Sequence, residues 1–208
     1  MKPETLQPLG PAAGPLLIVL SGLSGVGKDT VLEGLVKSKL PLAISVSATT
    51  RARRANETDG VNYRFISKTE FQKLIDSGEL LEWANVYGNL YGIPKEPVRK
   101  ALKSGKDVIV KIDVQGAATI RKICPQAVLI FLVTPYMEEL EKRLKQRRTE
   151  TAAELELRLK TAGEELQQLK MFDYVVVNRP GEIEKAVADI QAIIAAEKCR
   201  TTPREVNI

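Results

Sequence analysis

The segment "PLLIVLSGLSGVGKDT", Pro15 to Thr30, decides the fold. It begins as a continuous apolar run, the composition of a strand buried on both faces of a parallel sheet. Gly22, Gly27 and Lys28 then satisfy G-x-x-x-x-G-K-[ST] up to its last position, where Asp29 stands in place of a hydroxyl residue. Helical spacing follows at Val31, Leu32, Leu35 and Val36. Strand, glycine-rich turn and helix together are the context this motif needs. Backbone N–H groups from Gly25 to Lys28 can converge on phosphate oxygens at the helix N-terminus, where the Lys28 ammonium neutralises their charge. The turn is therefore read as a phosphate site built from Gly22, Leu23, Ser24, Gly25, Val26, Gly27, Lys28, Asp29 and Thr30. Asp29 leaves two readings open: a working site with an unusual metal ligand, or a copy that binds without reacting.

Further buried-strand runs occur at 107–113 ("DVIVKID"), 127–133 ("AVLIFLV") and 174–178 ("YVVVN"). Helix-like stretches separate them, such as 94–104, with Pro97 in its first turn and Gly105 at its end. The alternation predicts an α/β fold, a P-loop core with a mainly parallel sheet flanked by helices. Two segments fit that sheet poorly. Residues 47–93 are polar, aromatic and glycine-dotted, and 136–170 are a long charged helical stretch in which Thr151 and Glu154 form a capping box. Both read as insertions over the carboxyl edge of the sheet, where ligands of such folds bind. The proline-broken residues 1–14 read as a flexible leader and 198–208 as a tail.

The 208 residues carry a net charge of +5, a modest basic excess that suits a polyanionic ligand and equally a well-solvated surface. Cys124 and Cys199 match no metal spacing, which predicts a reduced, intracellular protein. No signal peptide or membrane-spanning run is read. The chain has no histidine, which excludes histidine triads, histidine-ligated zinc and imidazole acid–base chemistry.

From about Pro15 to Ala195 the chain resembles guanylate kinases, P-loop enzymes that move a phosphoryl group from ATP to GMP. "SVSATTRARR…E…DGVNY" is similar to the family's GMP-phosphate segment, "LLEWANVYGNLYG" to its guanine-reading segment and "KIDVQGA" to its acidic strand end. "RLKQRRTET…RL" is similar to its lid and "FDYVVVN" to its last core strand. The resemblance implies a domain over 15–197, with a GMP-binding segment at 47–93 and a lid at 135–170. It also implies binding of ATP by the loop and Asn178, and of GMP or dGMP by Ser47, Arg51, Arg54, Tyr63, Glu82, Tyr91 and Asp113. Lys28, Arg51, Arg143, Arg147 and Arg158 would act on the transferring phosphoryl group, and Mg²⁺ would be held by Asp29 and Asp113. The implied setting is a cytoplasmic monomer or weak homodimer in purine nucleotide metabolism, with no nucleic-acid or membrane partner. The chemistry of these residue types agrees. Guanidinium forks grip phosphate bidentately, and a carboxylate accepts from guanine N1–H and its 2-amino group, donors that adenine lacks there.

Four positions depart from the family pattern. Besides Asp29, Ile93 replaces a Ser or Thr, Lys111 stands where an acidic residue is frequent, and Arg53 replaces a common proline. Two rival readings stay open: a guanylate-kinase-like module that binds peptides, and a kinase for another small phosphorylated acceptor. Retention of the glycine loop argues against the first, and Glu82 with Ser47 against the second.

Overall fold

The apolar run after Gly14 becomes the central strand β1 (Leu17–Gly22), with every residue buried. The computed structural model describes residues 13–38, 40–55, 57–86, 88–146 and 152–208. After β1 come α1 (Lys28–Lys37), β2 (Leu42–Ser45), β3 (Ala48–Thr49), β4 (Arg64–Phe65), α2 (Lys68–Asp76), β5 (Leu80–Val86) and β6 (Asn89–Pro94). The second half contains α3 (Lys95–Lys103), β7 (Asp107–Lys111), α4 (Val114–Ile123), β8 (Val128–Val133), α5 (Met137–Gln146), α6 (Ala152–Leu166), β9 (Tyr174–Val177) and α7 (Ile183–Lys198).

The core is a five-stranded parallel sheet in the order β2-β7-β1-β8-β9. Successive side chains of a strand point to opposite faces. Ile18 and Leu20 thus pack with Leu35, Ile130, Ile190 and Ile194, on the face covered by α1 and α7. Leu17 and Val19 pack on the other face with Val98, Val110, Ile120 and Leu129, beneath α3 and α4. Both faces are covered, which is why β1 reads as unbroken hydrophobicity. Each fully buried Leu or Ile there contributes about 1.5–3 kcal/mol.

The segment 47–93 stays out of the core sheet. It holds a second sheet of four strands, ordered β4-β3-β6-β5, closed by α2 over a small core of Ala48, Phe71 and Leu80. Ser67 caps α2 and Glu70 returns the bond, a complete capping box. The charged stretch 136–170 divides into α5 and α6, and the Thr151 half of the predicted capping box lies outside the described residues. The last ten residues are not a loose tail. Val206 and Ile208 pack on the core, and Arg204 bonds both carboxylate oxygens of the buried Glu197 at 2.8 Å. Ile93 is fully buried in the same apolar cluster as Leu81 and Val98, so this departure fills core space.

Candidate functional site

The glycine loop leaves β1 at its carboxyl end and turns into α1. Gly22, Gly25 and Gly27 have φ of 141°, 88° and 97°, conformations that L side chains rarely adopt. A Cβ at Gly22 would also collide with the carbonyl oxygen of Leu132. Two side chains support the loop from beneath. Arg143 Nη1 and Asn178 Nδ2 both donate to the Val26 carbonyl, at 2.9 and 2.8 Å, and Arg143 also reaches the Asn178 carbonyl at 3.0 Å and Glu139 at 2.8 Å. Arg143 therefore braces the loop from the α5 side, and the buried Asn178 shares that task.

Lys28 folds over the loop, donating to the carbonyls of Gly22 (2.8 Å) and Leu23 (3.2 Å). Burial lowers its pKa to about 8, a shift that the Glu165 carboxylate opposes and the neighbouring Lys111 reinforces. From α6, Arg158 Nη1 donates to Ser24 Oγ at 3.0 Å, and Glu165 accepts from the Ser24 backbone. Arg158 and Glu165 are seven residues apart and so share one helix face. Sequence reading missed Glu165; its spacing from Arg158 is the signal that could have found it. One Glu165 oxygen is buried without a hydrogen-bond partner, and burial raises its pKa.

Beside the loop lies a cavity of about 310 Å³, whose lining includes Lys28, Ser47, Tyr63, Glu82, Tyr91 and Asp113. The second sheet supplies one wall through Glu82 on β5 and Tyr91 on β6, while Lys111 at the end of β7 and the turn Ile112–Asp113 before α4 supply the other. Tyr63 and Tyr91 meet edge to face at 5.9 Å. The Arg51 guanidinium lies 5.7 Å from the Tyr63 ring centre, paired with Glu57 at 2.6 Å. Arg54 is exposed, and its backbone N–H donates to Glu57 at 2.8 Å. Burial pushes the Glu82 carboxyl up to about 7, and the Asp113 charge adds to that shift. Asp113 is both the cap of α4, accepting from Gly116 N at 2.8 Å, and part of the cavity wall. A wider cleft of about 590 Å³ adjoins it between β5 and α6, reached by Asn85, Asp113, Thr161 and Glu165.

Asp29 points out from the first turn of α1, with 74% of its side chain exposed, and pairs with Lys111 at 2.5 Å. Thr30 follows it, also exposed. Asp29 and Asp113 bring two carboxylates to this edge near Lys28; among the described residues no group of three or more histidines, cysteines or acids forms a metal cage. Most sequence-predicted residues therefore converge on one sheet edge. Arg54 stands apart in solvent, and Arg147 lies outside the described residues.

A phosphate loop facing a carboxylate-bearing cavity is a two-substrate arrangement, and residues 15–197 match the family model described as guanylate kinase. The chain belongs to the guanylate kinase family. It is 48% identical over 185 residues to the guanylate kinase of Caldanaerobacter subterraneus, covering 89% of each chain. It is 49% identical over 185 residues to that of Halalkalibacterium halodurans, covering 89% of this chain and 90% of the relative. The crystal structure of guanylate kinase from Anaplasma phagocytophilum superposes with a TM-score of 0.72 at 34% identity, over 91% of this chain and 89% of that one. The guanylate kinase fold here carries an Asp29–Lys111 ion pair between the phosphate-loop helix and the end of β7. No helix among the described residues is long and apolar enough to cross a membrane.

Proposed function

We propose that the protein transfers the γ-phosphoryl group of ATP to GMP, and also to dGMP, giving ADP and the nucleoside diphosphate. The observation that carries this reading is Glu82, a carboxylate lining a cavity together with Tyr63 and Tyr91, with the Arg51 guanidinium beside the Tyr63 ring. Guanine presents two donors to such a carboxylate, while adenine leaves it buried and unpaired. Ser47 lies in the same wall for the base, and the Arg51 and tyrosine end takes the monophosphate, with Arg54 joining from solvent when the segment 47–93 closes. The glycine loop takes the ATP phosphates, and the lid, 135–170, brings Arg158 and Arg147 over them.

Phosphoryl transfer asks the protein mainly for alignment and charge neutralisation. Lys28 leaves the Gly22 and Leu23 carbonyls for the β- and γ-phosphates. Arg143 and Asn178 keep the Val26 carbonyl turned away, so that loop N–H groups face the anion. Closure of the second sheet and of α6 excludes water, directing transfer to GMP instead of hydrolysis. The oxygen donors fit a magnesium ion that arrives on ATP, since Mg²⁺ is held in such sites by one or two carboxylates with substrate phosphates. Asp29, exposed and bound through one oxygen, and Asp113 would hold it; it would supply neutralisation of the phosphate charge. Two free cysteines, one buried and one exposed, support a reduced cytoplasmic setting.

Incubation with Mg-ATP and, separately, GMP, dGMP, AMP, UMP and dTMP tests the reading. Equimolar ADP and GDP or dGDP should form, with the other acceptors inert. Asp29→Ser should stay within about tenfold of the native rate, roughly 1.4 kcal/mol. A native protein inert toward GMP in saturating Mg-ATP, switched on by Asp29→Ser, would show that Asp29 disables the site.

A further inference from the structure

Lys111 ends β7 beside β1, with Leu20 as its register partner, and its ammonium lies between the two substrate regions. On one side it touches Asp29 in the phosphate-loop helix at 2.5 Å; on the other it stands 5.5 Å from the centre of the Tyr63 ring. It also lines the acceptor cavity with Lys28 and Asp113. A phosphoryl group moving from the loop toward Arg51 and the tyrosines must cross this point. Asp29 is 74% exposed and Lys111 24%, so solvent screens the pair from the Asp29 side and leaves it worth on the order of 1 kcal/mol, little enough to yield to a competing ligand.

We propose that Lys111 is a further phosphate-directed residue of the reaction, held by Asp29 until Mg-nucleotide engages that carboxylate and then turned onto the phosphoryl group in transit. The proposal rests on the GMP kinase reading. It accounts for two unusual residues at once: a carboxylate in the loop's hydroxyl position supplies the counter-ion that parks the lysine. Asp29 then has competing partners, Lys111 before nucleotide binds and the cation afterwards. Removal of the ammonium should therefore act in opposite directions on metal binding and on turnover. A merely structural strut would weaken both or neither.

The test compares the native protein with Lys111→Met and Lys111→Arg. Magnesium affinity is measured by calorimetry on the complex with a non-hydrolysable ATP analogue, and kcat and KM with GMP are measured separately. Lys111→Met should bind magnesium at least about threefold more tightly, because Asp29 loses its competitor, while kcat falls at least about tenfold with KM for GMP little changed. Lys111→Arg keeps the charge and should hold kcat within about fivefold of native, which guards against a folding artefact. Unchanged or weaker magnesium binding in Lys111→Met, or a kcat within threefold of native, overturns the proposal. A native protein inert toward GMP overturns the reading beneath it; an active native protein with either of those results overturns this proposal alone.

Discussion

Gly116 in α4 and Glu82 in β5 leave no room for a methyl group between them. A Cβ at position 116 would lie 2.9 Å from Glu82 Oε2 and 3.1 Å from its Cδ. Helix and second sheet are thereby spaced so that the carboxylate sits against backbone, where burial raises its pKa.

Gly116→Ala should consequently move Glu82 without unfolding the protein. The glycine lies inside α4, where alanine is favoured by up to about 1 kcal/mol, and the colliding atoms belong to the end of a flexible side chain. We expect KM for GMP to rise about tenfold or more, with the thermal midpoint unchanged or higher and ATP affinity intact. A midpoint that falls together with ATP affinity would show general damage to the site.

Glu82→Gln should weaken GMP use by about 2–4 kcal/mol, because the amide opposes a guanine donor with a donor of its own. The pH response adds a second signature. Guanine recognition needs the ionised carboxylate, so kcat/KM for GMP should gain up to about tenfold from pH 6 to 8 through Glu82, and the glutamine variant should lose that part of the rise. Stability runs the other way. A carboxyl raised from 4.5 to about 7 favours the folded state below the unfolded value, and that contribution disappears as pH climbs through 7. Glu82→Gln should accordingly stabilise the ligand-free protein by about 1–3 kcal/mol at pH 8 and by little at pH 4, measurable by urea unfolding.

Asn178→Ala removes one of the two donors to the Val26 carbonyl and leaves a small cavity behind Gly27. The buried hydrogen bond is worth about 1–2 kcal/mol, and the loop it supports should bind ATP several-fold more weakly while GMP affinity stays unchanged. Equal weakening of both substrates would show that Asn178 supports the whole fold instead of the loop.

Arg204 lies close to the chain end, yet it neutralises a fully buried carboxylate. Arg204→Ala strands Glu197 with only Tyr174, at 2.7 Å, and the exposed Arg200 nearby. Removing one partner of such a pair costs about 3–5 kcal/mol. Thermal unfolding should report a loss near that size, with kcat on the surviving folded protein unaltered; a loss under about 1 kcal/mol would mean that Tyr174 and Arg200 suffice.

What was legible in the sequence follows from how locally it is encoded. β1, the loop and α1 are contiguous, and the buried strands β1, β7 and β8 announce themselves as apolar runs, so the middle of the core sheet was readable; of its partly buried edge strands, β9 was read as fully buried although Val175 is exposed, and β2 was not read at all. The second sheet was not, because β3 and β4 are two residues long and Ala48 finds its partner at Gly92. The cavity residues were legible through their resemblance to guanylate kinases, whereas the task of Arg143 was not: its acceptor, Val26, lies 117 positions away, and a surface-helix arginine looks the same whether it faces phosphate or a buried carbonyl. The docking of Val206 and Ile208 was hidden in a polar final segment with too few apolar positions to show a period.

The central claim is that Glu82 makes this cavity a guanine-specific acceptor site opposite a working phosphate loop. Its most direct test is the ratio of kcat/KM for GMP to that for AMP, measured on the native protein in saturating Mg-ATP. A site built to satisfy guanine donors should favour GMP by about 10⁴-fold or more, and Glu82→Gln should collapse that ratio by at least about thirtyfold. Comparable use of GMP and AMP by the native protein, or a ratio untouched by Glu82→Gln, would contradict it.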